Sequence, residues 1–203
     1  MDGFKKYWAR QFGNPTGLGG KIAAFIMNRI NKAMYEAVVE HAPKSGKLLD
    51  VGFGNGELLK RLTKTTDAAL YGADISGDMV ALAKKRNKKA VASGRLALSY
   101  GSADAIPFAE QFDFVYTVNT VYFWQDLNAG LVSIKDKLKD GGVFLNVVYT
   151  KAWLDKLSYT RYGFAKYTPD ELKRATAECG FDAEVIPIIE NKSYAIKAVK
   201  RAS

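Results

Sequence analysis

The sequence predicts an α/β fold: a mostly parallel seven-stranded sheet with helices on both faces, a C-terminal antiparallel hairpin, and a helical N-terminal cap. Three observations predict it. Between about residues 47 and 149, short apolar runs alternate with amphipathic stretches, the pattern of a parallel sheet with crossover helices. After residue 168 a capped helix is followed by two strand-like runs with only Glu190-Asn191-Lys192 between them, a hairpin spacing. Before residue 45, Ile22, Phe25, Ile26, Ile30, Met34, Ala37 and Val38 recur at helical spacing.

The elements follow in order. A Gly-rich turn over residues 13–20 precedes the first helix, Gly20 to His41, and is either a hinge or a plain loop. Lys47–Val51 is a short buried strand and Gly56–Lys64 a helix. Leu70–Ala73 is the second strand, Ser76–Ala90 a basic helix, and Arg95–Ser99 the third strand. Phe112–Val118 has almost no polar alternation, as a strand covered on both faces requires. Asp126–Leu138 is a helix and Val143–Tyr149 the fifth strand. Thr168-Pro169-Asp170-Glu171 opens the last helix: Thr168 caps, Pro169 suits the first turn and Glu171 completes a capping box. Gly180 stops it, and Ala183–Ile189 and Ser193–Val199 form the hairpin. The expected organisation is one domain over residues 1–203, with a cap or lid (1–45), a core (46–150), and a cap insert plus hairpin (151–203).

Composition narrows the function classes. The net charge of +9 fits nucleic acid, an anionic lipid or an acidic substrate, and fits a solvated basic surface equally well. One cysteine, Cys179, permits no internal disulfide, which suits a reducing compartment. With only His41 beside it, a Cys/His zinc cluster is excluded, and no acidic cluster marks a metal site. The first ten residues lack the apolar core of a signal peptide, and no stretch is long and apolar enough to span a bilayer. A soluble cytoplasmic protein without a metal is the expectation. The run Lys84-Lys85-Arg86-Asn87-Lys88-Lys89 is most simply a solvated helix face, and His41 suits a helix end better than catalysis.

The strongest local signal is Leu48-Leu49-Asp50-Val51-Gly52-Phe53-Gly54-Asn55-Gly56-Glu57. A buried strand runs into glycines that let the backbone approach a ligand, and a helix N-terminus follows. A glycine turn that only packs strand on helix is the plain alternative. Dinucleotide sites carry G-x-G-x-x-G; here Glu57 stands at the third glycine, and Asp50 would repel a pyrophosphate. Asp74, ending the second strand, is placed to bind ribose hydroxyls bidentately.

Asp50, Gly52, Gly54 and Gly56 match motif I, [D/E]-x-G-x-G-x-G, of the class I S-adenosylmethionine (SAM) dependent methyltransferases, which the chain resembles. Gly101-Ser102-Ala103-Asp104 is similar to that family's loop after strand three, Gln111-Phe112-Asp113-Phe114-Val115 to its fourth strand, and Leu138-Lys139-Asp140-Gly141-Gly142 to its turn before strand five. Asp140 replaces the usual proline of that turn, and Asp113 is expected to be structural. Tyr167–Leu172 and Cys179-Gly180-Phe181 resemble the small-molecule branch that includes the ubiquinone- and menaquinone-biosynthesis enzymes.

The resemblance implies a Rossmann-like sandwich that binds SAM and releases S-adenosylhomocysteine. It implies contacts from Asp50, Gly52, Gly54 and Gly56 to the methionine portion, Asp74 to ribose, Ile75 to adenine and Asp104 to the adenine amino group. Ser102, Ala103 and Asn119 complete the cofactor set, as does Met79, which reads equally well as helix core. It implies a small-molecule acceptor, with Tyr7, Trp8, Tyr122, Trp124 and Trp153 as candidate pocket residues. Phe123 and Trp124 fit the core as readily. Asn119-Thr120-Val121-Tyr122 stands where nucleic-acid amino methyltransferases carry N-P-P-Y, which counts against a nucleic-acid acceptor. Trp153, Tyr159, Tyr162, Phe164 and Tyr167 are expected to wall a cap. A nucleic-acid or protein methyltransferase and a non-catalytic SAM-binding module stay open as rival readings. The acceptor, the attacked atom, any general base and the oligomeric state are not legible.

Overall fold

The computed structural model describes residues 30–202 and Gly3. Tyr7, Trp8 and Phe12, the glycine turn at 13–20 and the start of the first helix lie outside the described residues. The strands are β1 (Lys47–Val51), β2 (Ala69–Asp74), β3 (Leu96–Tyr100), β4 (Phe112–Val118), β5 (Leu138–Tyr149), β6 (Phe181–Ile189) and β7 (Ser193–Lys200). The helices are α1 (Lys32–His41), α2 (Glu57–Thr65), α3 (Gly77–Arg86), α4 (Lys88–Ala92), α5 (Leu127–Lys137), α6 (Lys151–Asp155) and α7 (Pro169–Glu178).

One seven-stranded sheet has the order β3-β2-β1-β4-β5-β7-β6. Pairings from β3 through β5 are parallel, and β7 pairs antiparallel with both β5 and β6. This is the expected fold. Chain order reverses beside β1, so β2 and β4 flank it and their carboxyl ends open on one edge of the sheet. Parallel sheets leave their ligand crevice at such a switch point. β4 shows why the apolar run is needed: Phe112, Phe114, Val115 and Tyr116 are all fully buried at the sheet centre. Among the described residues no helix is long and apolar enough to cross a membrane.

Two expectations are corrected. The basic stretch is two helices rather than one from Ser76 to Ala90. Asn87 leaves helical geometry (φ −107°, ψ 25°), and its buried amide donates to the Gly56 and Ala83 carbonyls, 3.0 and 3.1 Å away. A side-chain bond to another element outcompetes the helix there. The turn before the fifth strand is an irregularity inside one long strand. Leu138 pairs with Phe112 and Val143 with Phe114, and the surplus residues, with Gly141 at φ 72°, are absorbed between them. The last helix starts as expected: the Glu171 amide donates to Thr168 Oγ1, and the Thr168 amide donates to Glu171 Oε2 at 2.8 Å.

Candidate functional site

The segments that leave β1, β2, β3 and β4 surround a cavity of about 410 Å³, within the range typical of small-molecule sites. Backbone bonds hold the walls together. The Gly52 amide donates to the Ala73 carbonyl (2.7 Å), the Gly101 amide to the Asp74 carbonyl (3.1 Å) and the Asn119 amide to the Val147 carbonyl (2.9 Å). Gly52 (φ 80°) is needed for closeness: a Cβ there would lie 2.3 Å from the Thr120 methyl. At Gly54 (φ 54°) a Cβ would meet nothing within 4 Å, so this stretch of main chain faces open space.

Asp74 is the buried carboxylate of this cavity. Its Oδ2 accepts from the Gly54 amide and its Oδ1 from the Ser76 amide, each at 2.8 Å. Each oxygen keeps a lone pair for a further donor, the requirement for holding a vicinal diol. Burial pushes its pKa up to about 6, against the lowering effect of those two amides. Asp104 lies on the rim as an exposed side chain. Of the expected cofactor residues, Gly52, Gly54, Asp74, Ile75, Ser102, Ala103, Asp104 and Asn119 line the cavity together. This set of groups suits an adenosine joined to an amino acid: the acceptor carboxylates Asp74 and Asp104 after β2 and β3, bare main chain after β1.

Three expected cofactor residues are not among the cavity's lining residues. Asp50 shares a sheet face with Tyr116, its register partner, and is buried beside it. Burial pushes the Asp50 carboxyl well above the usual carboxylate range. The Tyr116 hydroxyl opposes that rise, yet meets no partner in hydrogen-bond geometry. Gly56 turns the other way, because a Cβ on it would strike Ala83 and Asn87 of the neighbouring helix segment. Met79 is core, 1% exposed. Asp113 is structural: it accepts from the Lys47 amide (2.7 Å) and pairs with Lys139 (2.6 Å). His41 sits in the last turn of α1 with Nδ1 2.8 Å from the Ala37 carbonyl.

Beyond the cavity lies a smaller hollow of about 50 Å³, between the ends of β4 and β5 and the segment after α6. Asn119 and Phe123 line both spaces. Tyr122, Tyr149, Tyr159 and Phe164 supply aromatic walls, closed by Ile30, Leu154 and Leu157. The rings brace one another, with Phe123 and Phe164 edge-to-face at 4.6 Å and Tyr122 stacked on Phe164 at 5.9 Å. The polar atoms are consumed internally. Tyr149 Oη donates to Asn31 Oδ1 (2.9 Å), as does Asn119 Nδ2 (3.1 Å), and Tyr122 Oη donates to Asn119 Oδ1 (3.0 Å). Asn119 enters this network with φ 59°, a left-handed conformation that asparagine tolerates.

Of the expected acceptor-side residues, Tyr122 reaches the hollow and Trp124 the larger cavity. Trp153 borders neither; it stacks under Lys192 (4.6 Å) and Lys156 (5.8 Å). Tyr159 and Phe164 wall the hollow as expected of the cap, whereas Tyr162 and Tyr167 do not line it. Sequence reasoning missed Asn31 and Tyr149, and no local signal identifies them. Trp124 packs on Gly130, one turn into α5, where a Cβ would lie 2.6 Å from its indole.

Comparison with known proteins agrees with this architecture. A family model described as a methyltransferase domain matches residues 49–146. An uncharacterized methyltransferase, YdaC of Bacillus subtilis (strain 168), is 31% identical over 60% of this chain and 67% of its own length. The ubiquinone/menaquinone biosynthesis C-methyltransferase UbiE of Geotalea daltonii is 27% identical over 60% of this chain and 53% of its own. The chain thus spans between half and two thirds of these relatives. In structure, it is similar to a chain of the complex between the Haloferax volcanii Trm112 methyltransferase activator and a methyltransferase. The TM-score is 0.80 over 98% of both chains, at 18% identity. Sheet order, glycine loop and family match converge: the chain belongs to the class I S-adenosylmethionine-dependent methyltransferases.

Proposed function

We propose that the protein methylates a small molecule seated in the aromatic hollow, with SAM in the adjoining cavity. One observation carries this: Asn119 and Phe123 belong to both spaces, so an occupant of one abuts an occupant of the other. SAM supplies an activated methyl group on a sulfonium. The chain's part is alignment and exclusion of water. In this reading Asp74 accepts from the ribose hydroxyls and Asp104 from the adenine amino group. The main chain of Gly52–Gly54 lies along the amino acid portion, and Ile75 flanks the adenine. Tyr122, Phe123 and Phe164 form the acceptor walls. A hollow this narrow and apolar favours a small acceptor over a nucleic acid or a protein side chain. The UbiE-like relatives, named for C-methylation in quinone biosynthesis, support the same class without fixing the atom.

Calorimetry with SAM and S-adenosylhomocysteine tests the cofactor half. Binding in the micromolar range is expected, with a loss of at least tenfold in Asp74→Ala; unchanged affinity in that variant overturns the ribose assignment. Label transfer from SAM across a panel of small apolar acceptors tests the other half, and transfer only to RNA, DNA or protein overturns it.

A further inference from the structure

We infer that the acceptor is a nucleophile that ionises unaided, a thiol or an acidic phenol that attacks as its anion, because the described residues around the aromatic hollow include no group able to take its proton. This rests on the reading of that hollow as the acceptor site. Among the described residues none of its lining side chains is Asp, Glu, His, Lys or Arg. Its ionisable groups are the phenols of Tyr122, Tyr149 and Tyr159. Burial raises all three, so they stay protonated at neutral pH, and a phenol that already carries its proton cannot remove another. Tyr122 and Tyr149 also spend their hydrogens on Asn119 and Asn31.

Conventional bases lie elsewhere for topological reasons. Asp74 ends β2 and Asp104 follows β3, two and three strands from β4, roughly 10 and 14 Å away at about 4.8 Å per strand. Asp126, which lines the cofactor cavity and not the hollow, caps α5 and accepts from the Ala129 amide at 3.0 Å. The only imidazole of the chain, His41, ends α1, which starts beside the hollow and runs away from it for ten residues, about 15 Å. Asp2 is the one carboxylate among residues 1–31, and no histidine occurs there. A cation, Lys192, stands against the hollow's wall, its Nζ 5.9 Å from the Tyr149 ring centre. A space of about 50 Å³ is a third of the roughly 150 Å³ that houses a benzene ring, so it takes the reacting edge of a ring or a short thiol.

The step balances without a base. The acceptor loses its proton to solvent before it enters. A lone pair of the S⁻ or O⁻ then forms the bond to the methyl carbon, and the pair of the breaking C–S bond returns to the sulfonium sulfur. Anion and cation disappear together, and desolvation in an apolar hollow raises the nucleophilicity of the anion.

The test has a readout that needs no turnover. Thiophenol and 4-nitrophenol are titrated calorimetrically into the protein loaded with sinefungin, which carries an ammonium in place of the methylsulfonium. Each is run about one pH unit below its own pKa, in two buffers of different ionisation enthalpy. About one proton released per acceptor bound is the expected result. No release, or no binding by any thiol or phenol, overturns the inference. In turnover at saturating SAM, the inflection of kcat/KM with pH should move with the pKa of each ring-substituted thiophenol; an inflection fixed at one pH overturns it. Leu157→Trp, which fills the hollow, separates the two readings. If SAM binding is intact and acceptor binding is undiminished in that variant, the location fails, whatever the proton count.

Discussion

A single buried carboxylate sets the pH behaviour of the cofactor cavity. Asp74 has a pKa pushed up to about 6 because burial penalises its charge more than the Gly54 and Ser76 amides relieve it. Below that pH the free protein holds Asp74 as the neutral acid, a poorer acceptor for two ribose hydroxyls. SAM affinity should therefore fall as pH drops through about 6, by up to tenfold per unit, and Asp74→Asn should bind weakly and without that pH dependence. Calorimetric titrations between pH 5 and 7.5 check this; a flat wild-type profile refutes it. The sign for folding runs the other way. A folded pKa above the unfolded one means Asp74's contribution to stability is fully present below about pH 4 and lost as pH rises through 6. The group is kept ionised at neutral pH at the expense of stability, as a ligand-binding carboxylate is. Asp50, also raised by burial, does not border the cavity, which is why an acid in a matching motif position did not by itself reveal where its side chain points.

Among the elements, the glycine turn after β1 divides its work between two positions that look equivalent in sequence. Gly52 makes room for Thr120, whereas Gly54 faces open cavity. Gly52→Ala should lower stability by about 1–3 kcal/mol from backbone strain, with more from the collision with Thr120, and lower the melting temperature accordingly. Gly54→Ala carries the strain without the collision and should weaken SAM binding more than its melting temperature suggests. Equal effects of the two on both measurements would refute the division. The elements legible in the sequence were those whose cause is local. Lys47–Val51 and Phe112–Val118 are continuous apolar runs, and the helix opening at Thr168 carries its own capping box. The break at Asn87 was hidden because its cause, the Gly56 carbonyl, lies 31 residues away. The hollow was hidden for the same reason. Phe164 and Tyr159 belong to a visible aromatic cluster, but the bond from Tyr149 to Asn31 spans 118 residues and has no local signature. The cofactor cavity was readable because each of its walls follows directly on a strand.

For the whole molecule, the decisive fact is that the last strand in sequence is not the last in the sheet. β7 lies between β5 and β6, pairing with β5 from Val143↔Val199 to Tyr149↔Ser193. Ile196 and Ala198 are fully buried. Removal of residues 151–203 would open that whole edge of β5 and strip the buried face that β7 and α7 cover. The same residues supply Leu154, Leu157, Tyr159 and Phe164 to the hollow. Yet every described residue that lines the cofactor cavity falls between Val51 and Asp126. A fragment of residues 1–150 therefore holds those lining residues and lacks the fold that arranges them. It should show no cooperative thermal transition by circular dichroism and no SAM binding by calorimetry, because an unpaired central strand with an apolar face favours aggregation over folding. If the fragment melts cooperatively and binds SAM with the affinity of the full chain, residues 46–150 are a domain in their own right, and the one-domain organisation is wrong.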